Sequence, residues 1–227
     1  MREERIVLGG RELVIERPDD PESLIDESRF DEDEFLPYWA ELWPSGVALA
    51  RHVAGLDLGG KRVLELGCGL ALPSFAAVIA GADVLATDWA PEAIELVAAN
   101  AAANGLEVAT ALLDWGTPPR PDLAQFDLVL AADVLYEERN AVPLLRLLNL
   151  TVAPGGAALV ADPGRRHAPA FSAGARTAGW ALELVQADEL RFGGISILRR
   201  VDTPAPGYSR APAGLGRADG KPVDDRP

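Results

Sequence analysis

The stretch Arg62-Val63-Leu64-Glu65-Leu66-Gly67-Cys68-Gly69-Leu70-Ala71 decides the fold that we expect for this chain. Residues 62–66 form an apolar run of strand length, Gly67 and Gly69 supply a turn, and residues 73–80 have the pattern of a buried helix. An apolar strand that leads directly into a glycine turn and a helix is typical of an open parallel α/β sheet. In such a sheet, ligands bind beyond the carboxyl ends of the strands.

Strand and helix patterns alternate along most of the chain. Further strands are predicted at 84–87, 108–113, 126–132, 157–161, 182–186 and 195–201. Helices are predicted at 47–53, 91–104 and 168–178, and one more follows the strand at 126–132 and ends at 152. The triplet Pro154-Gly155-Gly156 is expected to separate the helix that ends at 152 from the next strand. This order predicts a Rossmann-like, doubly wound α/β fold with a seven-strand, mostly parallel sheet. The last strand should be antiparallel, because only a short loop precedes it.

Two segments differ in composition from this α/β region. Residues 6–8 and 13–15 flank Gly9-Gly10, which predicts a short N-terminal β-hairpin. Residues 19–34 carry nine acidic side chains, and they are either a solvated loop or an acidic lip that attracts a cation. We therefore expect a hairpin and acidic loop at 1–35, a catalytic domain at 36–202 and a disordered tail at 203–227.

The overall composition restricts the function. With 227 residues and 48% hydrophobic residues, the chain can form one sizeable core. A net charge of −14 argues against nucleic-acid or membrane partners and favours cationic ones. Cys68 is the single cysteine and there are two histidines, so we expect no disulfide and no metal site. With no apolar signal core and no membrane-length apolar run, the expectation is a cytoplasmic protein. The sequence does not identify the oligomeric state, and we take a monomer as the first expectation.

The glycine turn and a later acidic residue indicate a nucleoside ligand. Asp88 ends the next strand about twenty residues later, where a carboxylate can reach a ribose hydroxyl pair. Leu72 stands where the dinucleotide pattern requires a third glycine, which disfavours nicotinamide cofactors. The Gly-Lys-Ser/Thr of triphosphate-binding loops is also absent from this turn.

Four motifs occur in an order that resembles a known family, the seven-strand (class I) S-adenosylmethionine-dependent methyltransferases. The motifs are Glu65-Leu66-Gly67-Cys68-Gly69, Asp88, Asp114-Trp115-Gly116 and Asp133-Val134-Leu135-Tyr136. The entry Tyr38-Trp39-Ala40-Glu41-Leu42-Trp43-Pro44-Ser45-Gly46 and the Asp-x-x-Tyr tetrad resemble the branch that methylates lysines of non-histone proteins. Trp43-Pro44-x-Gly46 and Asp162-Pro163-Gly164-Arg165 are most similar to the group of electron transfer flavoprotein beta-subunit lysine methyltransferases and their bacterial relatives. The resemblance spans about residues 36–201.

The resemblance implies S-adenosyl-L-methionine as cofactor, S-adenosyl-L-homocysteine as product, and a role for each matching residue. Gly67 and Gly69 would approach the methionine moiety, Asp88 would hold the ribose, and Trp115 would pack beside the adenine. The other implied cofactor-binding residues are Trp39 and Trp43, which would wall the cleft, and Glu65, Asp114 and Ala132. Ala71 departs from the pattern, because this position is often a third glycine.

The tetrad is implied to lie at the reaction centre, with Asp133 and Tyr136 beside the transferable methyl group. Chemically, Asp133 could orient a lysine amine and receive its proton directly or through water, and Tyr136 could offer a ring face to the cation. Each residue also has a structural interpretation. Asp133 could cap a helix, Tyr136 could be a packing residue, and Trp39 and Trp43 could form one core stripe on a helix.

These observations predict an S-adenosylmethionine-dependent methyltransferase whose partner is a protein with an exposed lysine. A flavoprotein subunit is one substrate that the resemblance implies. Two alternatives remain: a methyltransferase acting on a small amine or pyridine nitrogen, and a non-catalytic adenosyl-binding module. A closed cap over the cleft would favour the small substrate, and an open acidic groove would favour a protein.

Overall fold

A computed structural model of the chain describes residues 1–20, 37–117, 123 and 125–201. The predicted tail at 203–227 lies outside the described residues, as do the boundary at 35/36 and the acidic segment from residue 21 onward. The domain boundaries proposed from the sequence therefore stay predictions.

The described residues form a seven-stranded sheet and a separate two-stranded hairpin. The strands are β1 (Arg2–Leu8), β2 (Arg11–Arg17), β3 (Arg62–Leu66), β4 (Asp83–Asp88), β5 (Ala109–Leu112), β6 (Phe126–Ala132), β7 (Val152–Asp162), β8 (Trp180–Val185) and β9 (Gly194–Arg200). The helices are α1 (Pro44–Ala54), α2 (Leu72–Ile79), α3 (Pro91–Ala103), α4 (Ala141–Thr151) and α5 (Ala168–Thr177), with 3₁₀ turns at Tyr38–Ala40 and Glu138–Asn140.

The sheet order is β5-β4-β3-β6-β7-β9-β8. The neighbours from β5 to β7 are all parallel, and β9 is antiparallel to both β7 and β8. The predicted α/β fold, with a mostly parallel seven-strand sheet, an antiparallel last strand and an N-terminal hairpin, is confirmed. Since β4 and β6 lie on opposite sides of β3, the strand order reverses between β3 and β6, where a crevice opens at the sheet edge.

Both faces of the sheet are covered by helices. Along β3, Val63 packs into one apolar cluster with residues of α1, α2 and α3, whereas Leu64 and Leu66 pack into a second cluster with residues of α4 and α5. This alternation follows from the two-residue period of a strand. Trp180 is buried in the second cluster. None of the described helices has the length and hydropathy needed to cross a membrane.

The boundary between α4 and β7 differs from the expectation. We expected Pro154-Gly155-Gly156 to separate the helix from a strand at 157–161, but β7 begins at Val152, directly after the helix. Phe126 pairs with Val152 and Leu128 with Ala157, so the proline–glycine segment forms a bulge between two paired regions. Gly155 adopts a φ of 78°, which suits glycine in such a bulge.

The hairpin is also longer than predicted, and it is attached to α3 by asparagine side chains. Asn100 accepts a hydrogen bond from the Glu16 amide (2.8 Å) and donates one to the Glu16 carbonyl (2.9 Å). Asn104 makes the same pair of bonds with Val14, at 2.9 and 2.7 Å. The two side chains therefore satisfy the free edge of β2 as a neighbouring strand would.

We expect Asn100→Ala to lower the free energy of unfolding by about 2 kcal/mol, because Asn100 is 1% exposed and its loss leaves two backbone groups of β2 unpaired. Urea unfolding measures this change, with Glu95→Ala on the exposed side of α3 as the matched control. Equal stabilities of the two variants would contradict this role of Asn100.

Candidate functional site

A cavity of about 780 Å³ opens where the strand order reverses, at the carboxyl ends of the parallel strands. All eleven residues that the sequence singled out line this cavity: Trp39, Trp43, Glu65, Gly67, Gly69, Asp88, Asp114, Trp115, Ala132, Asp133 and Tyr136. The parallel strands bring them together because each strand contributes the residues that follow its carboxyl end to the same edge. Their individual roles stay predictions.

The turn after β3 has a backbone that favours glycine. Gly67 and Gly69 have φ angles of 67° and 50°. A Cβ at Gly69 would lie 3.1 Å from the carbonyl oxygen of Trp39, and one at Gly67 would lie 3.1 Å from the Val134 side chain. Ala71 also adopts a left-handed conformation, with a φ of 56°, which explains why glycine suits this position in similar sequences.

Two buried carboxylates fix this turn and the helix that follows it. Asp88, at the end of β4, accepts hydrogen bonds from the Gly69 amide (2.9 Å) and the Ala90 amide (3.1 Å). Glu65, on β3, accepts bonds from the backbone amide and the hydroxyl of Ser74 in the first turn of α2. A carboxylate at a helix N-terminus satisfies free amides and interacts favourably with the helix dipole.

Burial changes the acidity of both carboxyl groups. It raises the pKa of Glu65 to about 8, with a further contribution from Asp88 and an opposing one from the Ser74 hydrogen bonds. Burial also raises the pKa of Asp88, against the lowering effect of its backbone donors. Glu65 is therefore mostly protonated at neutral pH, and a cation bound in the cavity would favour its ionised form.

Asp133 follows β6 directly and is held in a defined orientation. Its φ is 59°, a conformation that costs on the order of 1 kcal/mol for a residue other than glycine and is most frequent at functional sites. The hydroxyl of buried Ser45 donates to Oδ2 (3.0 Å). Arg165 donates a hydrogen bond from Nε to Oδ1 (2.6 Å), and its Nη2 forms an ion pair with the same oxygen at 2.6 Å. The carboxylate is 6% exposed.

Three aromatic side chains line the same cavity as Asp133 and pack on one another. The Tyr136 ring lies 5.2 Å from the Tyr38 ring, and Tyr38 lies 6.2 Å from Trp43, whose indole nitrogen donates to the Tyr38 carbonyl. Burial raises the pKa of the Tyr136 phenol, so its hydroxyl keeps its proton. Trp43 precedes α1 and Trp39 lies in a separate 3₁₀ turn, so the alternative of one shared helical stripe is wrong.

Trp115 lies across the glycine turn on the other side of the cavity. Its six-membered ring would be 3.5 Å from a Cβ at Gly67. Arg146 holds its loop by donating to the carbonyls of Trp115 (3.0 Å) and Thr117 (2.8 Å). Asp114 is exposed and accepts a hydrogen bond from the Gly116 amide, so it shapes the loop.

The sequence reasoning missed three residues of the site: Tyr38, Ser45 and Arg165. Each lies within a motif already quoted. The place of Arg165 after the carboxyl end of β7 could have indicated that it belongs to the site, because β7 is parallel to β6.

Cys68 is buried, and burial raises its pKa well above the usual value, so it is a packing residue. In the described part of the chain, no group of His, Cys, Asp and Glu side chains could hold a metal ion.

Comparisons with known proteins agree with this geometry. A family model described as lysine methyltransferase matches residues 28–170. The electron transfer flavoprotein beta subunit lysine methyltransferase of Rattus norvegicus is 39% identical over 142 residues, which is 60% of this chain and 53% of that protein. The EEF1A lysine methyltransferase 3 of Mus musculus is 32% identical over 157 residues, with 66% of this chain and 67% of that protein covered.

The aligned part of this chain thus spans about half the length of the flavoprotein-subunit methyltransferase. Among solved structures, a TehB-like SAM-dependent methyltransferase from Corynebacterium glutamicum superimposes with a TM-score of 0.55 at 20% identity. The match covers 70% of this chain and 86% of that chain. At this identity the likeness concerns the fold.

The raised pKa of Glu65 predicts a pH-dependent stability. Between about pH 4.5 and pH 8 the unfolded chain has Glu65 ionised while the folded chain keeps the proton. The free energy of unfolding therefore falls as pH rises through this window, on the order of 1.4 kcal/mol per pH unit from this group, and levels off above it.

Glu65→Gln should remove this contribution while retaining an acceptor for Ser74. Urea unfolding at pH 6, 7, 8 and 9 compares the slopes of wild type, Glu65→Gln and the surface control Glu95→Gln. The wild type and the control should lose stability more steeply than Glu65→Gln up to pH 8. Parallel curves for all three proteins would show that Glu65 is not protonated in the folded state.

Proposed function

This chain belongs to the lysine methyltransferase family, and on that premise we propose that it transfers a methyl group from S-adenosylmethionine to a lysine side chain of a protein. The observation that carries the proposal is the position of Asp133. This buried carboxylate has a fixed orientation, and it lines the same cavity as the rings of Tyr38, Trp43 and Tyr136, the glycine turn and Asp88.

The residues at the turn suit the adenosyl donor. Gly67 and Gly69 let Val134 and Trp39 pack against the turn, and both glycines line the cavity with backbone atoms alone. The Asp88 carboxylate accepts backbone hydrogen bonds from Gly69, Ala90 and Trp89, and two oxygens with about four acceptor positions leave capacity for a ribose hydroxyl. Bound there, the donor supplies a sulfonium methyl group, and a lysine nitrogen takes that methyl as the C–S bond breaks and sulfur keeps the electron pair.

The chain itself has to align the two reactants and to favour an uncharged amine. Asp133 can accept a hydrogen bond from the amine and fix the direction of its lone pair. The rings of Tyr38, Trp43 and Tyr136 offer faces that stabilise the positive charge as it passes to nitrogen. The proton that leaves the amine goes to water.

The charge of the cavity favours a cationic acceptor. Apart from Glu65, which is mostly protonated at neutral pH, five acidic side chains line it against two arginines: Glu41, Asp88, Asp114, Asp133 and Glu137 against Arg139 and Arg165. Such a field attracts the ammonium of a lysine during encounter. We propose a protein acceptor in the cytoplasm, and the flavoprotein subunit named for the Rattus norvegicus relative is the first protein to test. A small amine is the second candidate substrate, and it shares the same cofactor chemistry.

The proposed activity is tested by incubating the protein with methyl-labelled S-adenosylmethionine and soluble cell extract, and by locating the label by mass spectrometry. Label on lysines of one or a few proteins is expected. Asp133→Asn should lower the rate of labelling at least about tenfold, since the amine loses its charged acceptor. Asp83→Asn, at the exposed amino end of β4, is the matched control and should keep the wild-type rate. Label confined to small molecules, or no label at all, would contradict the proposal.

Asp88→Ala tests the donor site separately. The variant should bind S-adenosylhomocysteine at least about tenfold more weakly, because the ribose hydroxyls lose a charged acceptor and the Gly69 amide loses its partner. Isothermal titration calorimetry gives the dissociation constant, and Asp133→Asn should remain within about twofold of wild type. An unchanged affinity of Asp88→Ala would remove Asp88 from the donor site.

A further inference from the structure

We propose that Arg165 is a positioning residue for the reaction: it fixes Asp133 so that Oδ2 meets the acceptor amine, and its charge offsets that of the carboxylate so that the amine reacts uncharged. This inference rests on the proposed function and adds a residue to it. From the sequence, Arg165 was quoted only as the last residue of the motif Asp162-Pro163-Gly164-Arg165, and no function was predicted for its side chain.

The hydrogen bonds on Asp133 assign a different task to each of its oxygens. An ionised carboxylate oxygen accepts about two hydrogen bonds. Oδ1 accepts a hydrogen bond from Nε of Arg165 and forms an ion pair with Nη2 of the same guanidinium, so Arg165 covers this oxygen. Among the described residues Oδ2 accepts one bond, from Ser45, which leaves one for an N–H of the acceptor.

The position of Arg165 is itself fixed. Asp162, at the end of β7, accepts hydrogen bonds from the amides of Gly164 (2.8 Å) and Arg165 (2.7 Å). On its other side the guanidinium lies 5.7 Å from the Trp43 ring centre, within cation–π range. The Arg165 side chain is 32% exposed, so it can contact both Asp133 and a ligand in the cavity.

An arginine is needed here because the rest of the cavity would keep an acceptor lysine charged. The other charged groups facing the cavity are Glu41, Asp88, Asp114, Glu137 and Arg139, and Arg139 forms an ion pair with Glu137. Glu65 also faces the cavity and is mostly protonated at neutral pH. Asp162 and the phenol of Tyr136 are also near Asp133. Anions around an ammonium stabilise its charged form, which has no lone pair for methyl transfer. Arg165, directly paired with Asp133, opposes this effect where the amine binds.

The positive charge of Arg165 should lower the pKa of the acceptor amine. A cation near the amine disfavours the ammonium and lowers the pH at which the acceptor becomes a nucleophile. Replacing Arg165 with a neutral residue removes this effect, so the reaction should require a higher pH. A purely structural role would instead lower the rate by the same factor at every pH.

The test compares Arg165→Gln with Arg166→Gln, a matched loss of one exposed positive charge at the next residue. The initial rate of labelling is measured from pH 6 to pH 10 at saturating labelled S-adenosylmethionine, on the protein in extract that wild type labels most strongly. For Arg165→Gln we expect the half-maximal rate to move up by about one pH unit. The rate at pH 7 should then fall about tenfold and recover at high pH, while Arg166→Gln follows wild type.

Arg165→Lys separates charge from geometry. It keeps the positive charge, so its half-maximal pH should match wild type, but a single ammonium cannot reproduce the forked contact, and kcat should fall severalfold. S-adenosylhomocysteine affinity and the melting temperature verify that both variants are folded. If Arg165→Gln does not fold, Arg165→Lys still decides, because full wild-type kcat in that variant would overturn the positioning role.

Each remaining outcome is also decisive. An Arg165→Gln profile that coincides with wild type, or that is lowered equally at all pH values, overturns the inference while the proposed function stands. Absence of labelling by wild type itself overturns the proposed function, and the inference with it.

Discussion

The site depends on one constraint: the backbone turn between β3 and α2 must stay open to a ligand and still be rigid. Glycine at positions 67 and 69 lets Val134 and Trp39 pack against the turn and presents only backbone atoms to the cavity. The carboxyl groups of Asp88 and Glu65 give the rigidity by binding the Gly69 amide and the first turn of α2. Because these carboxylates come from adjacent parallel strands, the sheet register sets the shape of the turn. Their burial has an electrostatic consequence, since it raises both pKa values and makes the cavity responsive to a bound cation.

A second set of contacts lies across the cavity, where β6 and β7 end. Asp133 leaves β6 in a left-handed conformation and is held by Ser45 from α1 and by Arg165 from the loop after β7. Three elements that are far apart in sequence therefore fix one carboxylate. The turn and this carboxylate follow the neighbouring strands β3 and β6 and line one cavity, which would bring two bound reactants together as a transfer requires.

Much of this could be predicted from the sequence, for physical reasons. The strand at 62–66 and the one at 126–132 are mostly apolar and largely buried on both faces, and their predicted bounds match the structure. The residues after the strand ends were expected to meet because parallel strands share one edge. The bulge at Pro154-Gly155-Gly156 was not predicted, since a local breaker pattern does not reveal that pairing with β6 continues on both sides of it. The contact of Arg165 with Asp133 was missed for a similar reason, because side-chain pairing across 32 residues has no local signature.

The most direct measurement of the central claim is a crystal structure of the protein with S-adenosylhomocysteine. The account predicts that the ribose hydroxyls bind the Asp88 carboxylate, that the methionine moiety lies against Gly67 and Gly69, and that the sulfur faces Asp133 across the space left for an amine. A complex with the ligand bound elsewhere, or with its sulfur directed away from Asp133, would contradict it.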